Sequence, residues 1–119
     1  MSGTMSETVG KVAWFELPAK DTKRAQAFYG GLFGWQFQPF EEQDYHITFE
    51  AGGAIANAPE QKCAIVHFGT DDIDAAIARV RELGGEAEDK QEVPGFGHYV
   101  YCSDTEGNRF GPYQPGAGE

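Results

Sequence analysis

The sequence predicts an α+β fold: two tandem βαβββ repeats form one curved mixed sheet of about eight strands around a cleft, with both helices outside. Two observations predict this fold. The segment Val12–Trp35 resembles Cys63–Glu86, with Asp72 lying 51 positions after Asp21 in the same register (72 − 21 = 51). Each segment is followed by apolar stretches separated by turn residues, as is typical of strands. Neither repeat closes its own apolar face, so the simplest arrangement joins the two.

The first repeat begins with a strand at Val12–Leu17 and continues as a helix. Asp21 is the predicted helix N-cap, and Gly34 is the predicted end. The helix carries one apolar stripe, which we expect to lie on the sheet. The stripe consists of Ala25, Phe28, Tyr29 and Leu32. Three strands are then expected, at Trp35–Phe40, Tyr45–Glu50 and Ala54–Ala56.

The second repeat follows the same plan after a linker at Ala58–Lys62. Its first strand is expected at Ile65–Phe68, its helix N-cap at Asp72 and a left-handed stop at Gly84–Gly85. The predicted inner stripe of this helix is Ile73, Ala76, Ile77, Val80 and Leu83. The later strands are expected at Glu86–Val93, His98–Cys102 and Arg109–Gln114, with turns at Pro94–Gly97 and Asp104–Asn108.

Length and composition limit the class of protein. With 119 residues, the chain is expected to form one domain over residues 10–116, with repeats at about 10–58 and about 62–116 and flexible tails at 1–9 and 115–119. The formal net charge of −10 disfavours nucleic acid and membrane surfaces as partners. We expect a cytoplasmic protein, since the first ten residues do not resemble a signal peptide. Two reduced cysteines, Cys63 and Cys102, are too few for a disulfide scaffold or structural zinc.

Three motifs resemble those of one known superfamily. They are WFELPAKDTKRAQAFYGGLFGW at the start, DDIDAAIARVRELGGE in the second helix, and PGFGHYVYCSDTEGNRFGPYQ at the end. Together they resemble the vicinal oxygen chelate superfamily of glyoxalases, bleomycin-resistance proteins and extradiol dioxygenases, and within it the short bacterial glyoxalase-like proteins. The resemblance covers nearly the whole of the two repeats. It also implies a homodimer by analogy with short members.

The superfamily's chemistry depends on a divalent metal held by His or Glu side chains on first and last strands of the repeats. The resemblance places those positions at Trp14, Ile65, Gly111 and the strand Ala54–Ala56. None of them carries a ligand of the family's kind, and divalent ions need three or four donors. We therefore expect the architecture without the metal, and no cofactor.

Strand alternation then suggests a different chemical pair. If Trp14 faces the cleft, as the resemblance implies, Glu16 faces it too, and the same parity joins Ile65 to His67. Glu16 and His67 occupy equivalent positions in the two repeats, five residues before each aspartate (21 − 16 = 72 − 67 = 5). A carboxylate that orients an imidazole is a workable general base. The alternative is a structural ion pair or two separately solvated groups.

Aromatic residues indicate a ligand, because the chain has more of them than the helix stripes need. Trp14, in the vacated metal position, either stacks on a planar ligand or only fills the space. The predicted ligand-binding set is Trp14, Ile65, Trp35, Phe49, Tyr101, Arg109 and Tyr113. For Arg109, the alternative is a solvated arginine beside a turn. His46 and His98 are expected on the polar face of a strand and at an exposed rim, and their roles stay open.

Three functions follow from these residues. The first is a metal-independent binding protein for a small aromatic or apolar metabolite in the cleft between the repeats. The second is a metal-independent lyase, isomerase or cyclase in which Glu16 and His67 transfer protons. The third is an atypical metal site that combines Glu16, His67 and a further histidine. Whether any reaction is catalysed is left open by the sequence.

Overall fold

The computed structural model describes residues 9–116. The chain divides into two compact units, one spanning Trp14–Ile65 and the other comprising the described residues up to Ala13 together with those from Val66 onward. Both units contain strands and one helix, which confirms the predicted α+β class. Neither of the helices in the described range is long and apolar enough to cross a membrane.

In the unit Trp14–Ile65, four strands pair in the order β2, β3, β4, β1. These strands are β1 at Val12–Ala19, β2 at Gln38–Pro39, β3 at Tyr45–Thr48 and β4 at Gly53–Asn57. β1 and β4 are parallel, while β3 is antiparallel to both β2 and β4. The predicted strand after the first helix is reduced to two residues. The other three are confirmed with shifted ends.

The helix α1 covers Thr22–Phe33 and is capped as predicted. The Asp21 carboxylate accepts a hydrogen bond from the Arg24 backbone N–H at 3.0 Å. At the other end, Gly34 adopts the left-handed conformation with φ 76°. That conformation favours glycine, because glycine has no Cβ that would clash with the backbone.

The predicted inner stripe of α1 is wrong in two positions. Phe28 is 62% exposed and Leu32 is 59% exposed. The face turned inward instead carries Thr22, which is buried, and Gly30, where a Cβ would lie 3.2 Å from a backbone oxygen of Trp35. Thr22 faces inward because its hydroxyl donates to Asp44. Residues three and four apart on a helix share a face, so Ala25 and Tyr29 are half-buried on that side while Phe28 and Leu32 lie outside it.

The second unit repeats the topology of the unit Trp14–Ile65. Its strands are β5 at Ile65–Gly69, β6 at Glu86–Ala87, β7 at Gln91–Val93, β8 at Gly97–Tyr99, β9 at Cys102–Ser103 and β10 at Arg109–Pro115. β10 is parallel to β5 and antiparallel to β8 and β9. β7 pairs with β8, and β6 pairs with β9. In both repeats the first strand is parallel to the last, so the predicted internal duplication is confirmed.

Two strands predicted as continuous are interrupted in this unit. Regular pairing stops between β6 and β7, and again between β8 and β9. Single backbone hydrogen bonds replace it there: Glu88 N–H donates to the Tyr101 oxygen at 2.9 Å, and Val100 N–H donates to the Pro112 oxygen at 3.2 Å. The described residues therefore form ten short strands where about eight were expected.

The helix α2 covers Ile73–Glu82, and the Asp72 carboxylate caps it by accepting from the Ala75 N–H at 3.0 Å. Ile73 is buried with Val100 and Cys102 in a core that α2 covers. Ile77, Val80, Ala87 and Phe110 pack against this core. Leu83, predicted to lie on the inner stripe, is 61% exposed, because the helix has already ended there and Gly84 turns left-handed with φ 97°.

Backbone pairing reaches both ends of the described range. Val9 forms a parallel bridge with Gly69, and Pro115 belongs to β10. Residues 1–8 and 117–119 lie outside the described residues.

One carboxylate ties α1 to two strands. Asp44 Oδ1 accepts from the Thr22 hydroxyl at 2.6 Å, and Oδ2 accepts from the Asn57 side-chain amide at 2.9 Å. His46 Nε2 lies 2.7 Å from Oδ1. These hydrogen bonds, with that of Thr22 the largest, lower the pKa of Asp44 from 3.8 to about 2.

This lowered pKa gives a testable pH dependence. Since the folded-state pKa is below the unfolded one, the contribution of Asp44 to stability is present above about pH 3.8 and is lost as the pH falls through about 2. Carbon-13 NMR of the carboxyl groups should give Asp44 a pKa of about 2, and Thr22→Val should raise it toward 3.8. Asp104, whose pKa is lowered by Asn108 in its own turn, serves as the internal control. An Asp44 pKa unmoved by Thr22→Val would contradict the assigned cause.

Candidate functional site

Three side chains in the unit Trp14–Ile65 form a short hydrogen-bonded chain. The Trp14 indole N–H donates to the Tyr45 hydroxyl oxygen at 2.9 Å. The Tyr45 hydroxyl in turn donates to Glu16 Oε2 at 2.7 Å. All three residues are half-buried. The hydroxyl therefore acts as acceptor and donor at once, which fixes both the indole and the carboxylate.

The strand register explains why these residues meet. Glu16 on β1 is paired with Ala54 on β4, and Tyr45 on β3 is paired with Ala56. Side chains two apart on a strand share a face, so the two alanines lie between Tyr45 and Glu16 on one side of the sheet. Because their side chains are single methyl groups, the tyrosine ring can reach across β4. The parity predicted for Trp14 and Glu16 agrees with this chain of contacts.

Phe49 adds a second aromatic ring beside Trp14. The ring centroids of the two residues are 6.4 Å apart, and the planes meet at 65° in an edge-to-face arrangement. Phe49 is 55% exposed. On the other flank, Phe40 packs edge-on to Tyr45 at 6.2 Å. We name the surface formed by Trp14, Glu16, Tyr45 and Phe49 the aromatic face.

Tyr45 was missing from the predicted site residues, although its sequence position held the signal. It lies on a strand paired with alanines at Ala54 and Ala56, which leave space above them. Ala54 and Ala56 were predicted only as positions without metal ligands. Their small size is what brings Tyr45 to Trp14 and Glu16.

In the second unit, His67 is 4% exposed and lies between two tyrosine rings. Its ring centroid is 5.9 Å from that of Tyr99 and 5.7 Å from that of Tyr101. The two tyrosines contact each other edge-to-face at 5.2 Å. The predicted histidine is thus enclosed by aromatic side chains of its own repeat.

Gly111, the position expected for the family's last metal ligand, is paired with His67 across β5 and β10. A Cβ built at Gly111 would overlap the His67 ring nitrogen Nδ1 and would lie 2.7 Å from Cε1. It would also lie 3.0 Å from the Val100 backbone oxygen. The imidazole therefore occupies the space into which a side chain at position 111 would project.

Arg109 and Tyr113 are held by local contacts. The Arg109 guanidinium carbon lies 4.8 Å from the ring centroid of Tyr101, and its Nη1 is 3.0 Å from Glu88 Oε2. The Tyr113 hydroxyl donates to the Phe96 backbone oxygen at 2.6 Å. Arg109 is thus paired with Glu88 and lies beside the Tyr101 ring.

Three further candidate residues, Trp35, Ile65 and His98, are at least half-buried. Trp35 stacks on Tyr29 at 5.5 Å and contacts Phe15, whose side chain leaves β1 on the side opposite to Trp14. Ile65 is buried at the start of β5, and His98 is half-buried on β8. Both cysteines are free thiols, and burial raises the pKa of Cys102.

The donor chemistry does not fit the metal implied by the family. Trp14, Ile65 and Gly111 offer no carboxylate or imidazole, and the first-repeat strand β4 reads Gly-Ala-Ile-Ala-Asn. Over residues 9–116, no three or more His, Cys, Asp or Glu side chains are grouped so that they could hold a metal ion.

A family model described as a glyoxalase-like domain matches residues 14–111. The chain belongs to this glyoxalase-like family. The match covers most of both repeats, and the resemblance to the vicinal oxygen chelate superfamily is confirmed.

Curated relatives are similar to this chain over most of its length. The anthracycline biosynthesis protein DnrV of Streptomyces peucetius is 29% identical over 134 aligned positions, which cover 92% of this chain and 49% of the relative. A glyoxylase-like domain-containing protein of Didymella fabae is 29% identical, covering 83% of this chain and 89% of the relative. The chain thus spans about half the length of DnrV.

Solved structures show the same fold. A methylmalonyl-CoA epimerase in complex with methylmalonyl-CoA and NH4+ superposes with a TM-score of 0.68 at 16% identity, covering 93% of this chain and 98% of that one. Methylmalonyl-CoA epimerase from Mycobacterium tuberculosis gives a TM-score of 0.63 at 12% identity, covering 95% and 93%. At these identities the likeness establishes the fold alone.

The contact between Gly111 and His67 predicts a specific sensitivity. Gly111→Ala should destabilise the protein by about 1–3 kcal/mol, because the added methyl group overlaps a buried ring and a backbone oxygen. Urea unfolding measures this change. The double variant Gly111→Ala with His67→Ala should lose less stability than the sum of the losses in the two single variants.

Gly31→Ala is the matched control, because open space surrounds that position on α1. It should stabilise the protein by about 0.5–1 kcal/mol through helix propensity. If Gly111→Ala left the free energy of unfolding unchanged, His67 would not fill the space beside β10.

Proposed function

We propose that this protein binds a small, planar aromatic metabolite on the aromatic face, without the metal of its superfamily. The observation that carries the proposal is the hydrogen-bonded chain from Trp14 through Tyr45 to Glu16. This chain fixes the orientation of the indole, which favours stacking of a ligand on Trp14 and Phe49. A binding surface fixed before the ligand arrives loses less entropy when it binds.

The chemistry of the face suggests what kind of ligand it takes. Trp14 and Phe49 supply flat apolar surface, while Glu16 supplies a carboxylate beside it. A planar molecule with an amino group suits this combination, since a cation is attracted both to the carboxylate and to aromatic rings. The name of the relative DnrV, an anthracycline biosynthesis protein, supports an aromatic natural product as the ligand class.

Ligand binding can be measured through Trp14 itself. In a Trp35→Phe background, Trp14 is the sole tryptophan, so its fluorescence reports on the aromatic face alone. Titration with a panel of anthracyclines and simple planar aromatic amines should give saturable quenching. Measured by calorimetry, Trp14→Phe should weaken binding up to about tenfold, because aromatic stacking contributes roughly 0.5–1.5 kcal/mol. Tyr45→Phe should also weaken binding, because it removes the hydroxyl that holds the Trp14 indole and the Glu16 carboxylate.

Phe28→Ala is the control, because Phe28 is an exposed aromatic residue on α1 in the same unit. It should leave the affinity unchanged, as should removal of divalent metal with EDTA. Equal binding of saturated ring analogues would refute aromatic recognition. An affinity that requires added nickel, zinc, manganese or iron would refute the proposed loss of the metal.

A second function is favoured by the hydrogen bond at Glu16. A carboxylate fixed at 2.7 Å from the Tyr45 hydroxyl is a positioned group that can accept a proton from carbon. We propose as the alternative a metal-independent lyase, isomerase or cyclase that uses Glu16 and His67 for acid and base chemistry. Methylmalonyl-CoA, the ligand named for a structural neighbour of the same fold, is the first substrate to test.

Proton exchange tests this alternative directly. Incubation with methylmalonyl-CoA in deuterated water should add one deuterium to the ligand carbon, which mass spectrometry detects. Glu16→Gln and His67→Gln should each slow the exchange by about 100-fold or more, while His98→Gln should not. Absence of exchange by the unaltered protein, or exchange unaffected by Glu16→Gln, would reject the alternative and leave the binding function standing.

A further inference from the structure

The outward side of α1 is apolar. In the middle of the helix the exposed residues are Ala27, Phe28, Gly31 and Leu32, which recur at steps of three and four and so share one face. Phe28 is 62% exposed and Leu32 is 59% exposed. Residues 22–40 contain no Asp or Glu, although nineteen of the 119 residues of the chain are acidic. We name the surface formed by Ala27, Phe28, Gly31 and Leu32 the outer stripe.

The corresponding face of α2 is charged. At the offset of 51, Phe28 corresponds to Arg79 and Gly31 corresponds to Glu82. The Arg79 guanidinium and the Glu82 carboxylate form an exposed ion pair at 3.1 Å. The fold therefore accommodates a solvated outer helix face. Exposed apolar area in the same place on α1 indicates a surface that another molecule covers.

Phe28 is held in place by a stack of aromatic rings. Its ring meets the Tyr29 ring edge-to-face with the centroids 5.1 Å apart, and Tyr29 stacks on Trp35 at 5.5 Å. Trp35 contacts Phe15, whose side chain leaves β1 on the side opposite to Trp14. An exposed ring that is fixed by packing loses little freedom on association, as is typical of anchor residues in protein interfaces.

The outer stripe is complementary in shape to itself. Ala27 and Leu32 lie symmetrically about the midpoint between positions 29 and 30, and so do Phe28 and Gly31. If two copies of α1 cross antiparallel about a two-fold axis at this midpoint, each Phe28 faces the partner's Gly31, and each Leu32 faces the partner's Ala27. Among the described residues, no side chain other than those of its chain neighbours lies within 4 Å of a Cβ built at Gly31. Large side chains thus meet small ones in both directions, which allows close helix packing.

The two ends of α1 carry opposite charge. Lys23 and Arg24 are exposed in its first turn. Beyond its last residue, the Gln36 backbone N–H donates to the exposed Glu50 carboxylate at 3.0 Å. Over residues 9–116, none of these three charged side chains takes part in an ion pair. Lys23 and Gln36 are symmetric about the same midpoint, so an antiparallel pair brings each basic end to the partner's Glu50.

We propose that the outer stripe is an interface for a second copy of this chain, in which two α1 helices cross antiparallel about a two-fold axis. A second copy fits because the stripe matches itself in side-chain size and in the charge of its ends, as an isologous interface requires. The net charge of −10 makes copies repel one another elsewhere, and this repulsion is weakest at a stripe without acidic residues. The proposal does not rest on the ligand function, because the aromatic face lies on the other side of the sheet.

Sedimentation velocity from low to high micromolar concentration tests the proposal on the whole chain. We expect a reversible equilibrium between monomer and dimer. Leu32→Asp should weaken the dimer by about 100-fold or more, because the interface would then bury an unpaired charge from each copy. Leu83→Asp is the matched control, because Leu83 corresponds to Leu32 in the second repeat and is 61% exposed. It should leave the dimer dissociation constant unchanged, and circular dichroism checks that both variants remain folded.

A charge exchange tests the antiparallel orientation. Arg24→Glu and Glu50→Arg should each weaken the dimer by about tenfold, because like charges then face each other at two symmetric places. A variant with both changes should regain most of the lost affinity, since the opposite charges meet again with their signs reversed. The proposal is overturned if the unaltered protein stays monomeric at high micromolar concentration, if Leu32→Asp leaves the dimer intact, or if the double variant binds no more tightly than the single ones.

Discussion

The first repeat depends on the hydrogen bonds that the Asp44 carboxylate accepts. This carboxylate joins the first residue of α1 to the end of β4 through Thr22 and Asn57, and it holds His46 at the beginning of β3. Side chains alternate along a strand, so fixing His46 on the helix side of β3 also fixes Tyr45 on the other side. The position of the helix and the geometry of the aromatic face therefore share one origin.

Small residues in β4 extend this constraint across the sheet. Gly53 is paired with Phe15, and a Cβ at position 53 would overlap the phenylalanine ring. β4 can therefore lie this close to β1 only because position 53 is glycine. The alanines Ala54 and Ala56 follow on the opposite, aromatic side and alternate with the buried Ile55. The middle strand thus carries little bulk on the aromatic side. For this reason Tyr45 on β3 can donate a hydrogen bond across β4 to Glu16 on β1.

The sequence predicted the elements that depend on local chemistry. The caps Asp21 and Asp72 and the left-handed glycines Gly34 and Gly84 require only neighbours in the chain, and all four are confirmed. Exposure was predicted less well, because Phe28 and Leu32 fit a helical period but lie on the outer side of α1. The side of a helix that faces inward depends on contacts with distant residues, such as that of Thr22 with Asp44, which periodicity alone does not contain. Tyr45 was missed for the same reason, since its contact with Glu16 crosses an intervening strand.

The two repeats show which positions tolerate change. Positions that end or begin an element keep their residue type, as Asp21 and Asp72 do, because the backbone N–H groups of a helix end need an acceptor in either copy. Positions that project from a strand face have no such requirement: Glu16 corresponds to His67, and each is held by aromatic neighbours of its own repeat. A duplicated backbone therefore keeps its architecture while its two faces acquire different chemistry. Function in this protein is best assigned to each repeat separately, from the side chains that its own strands bring together.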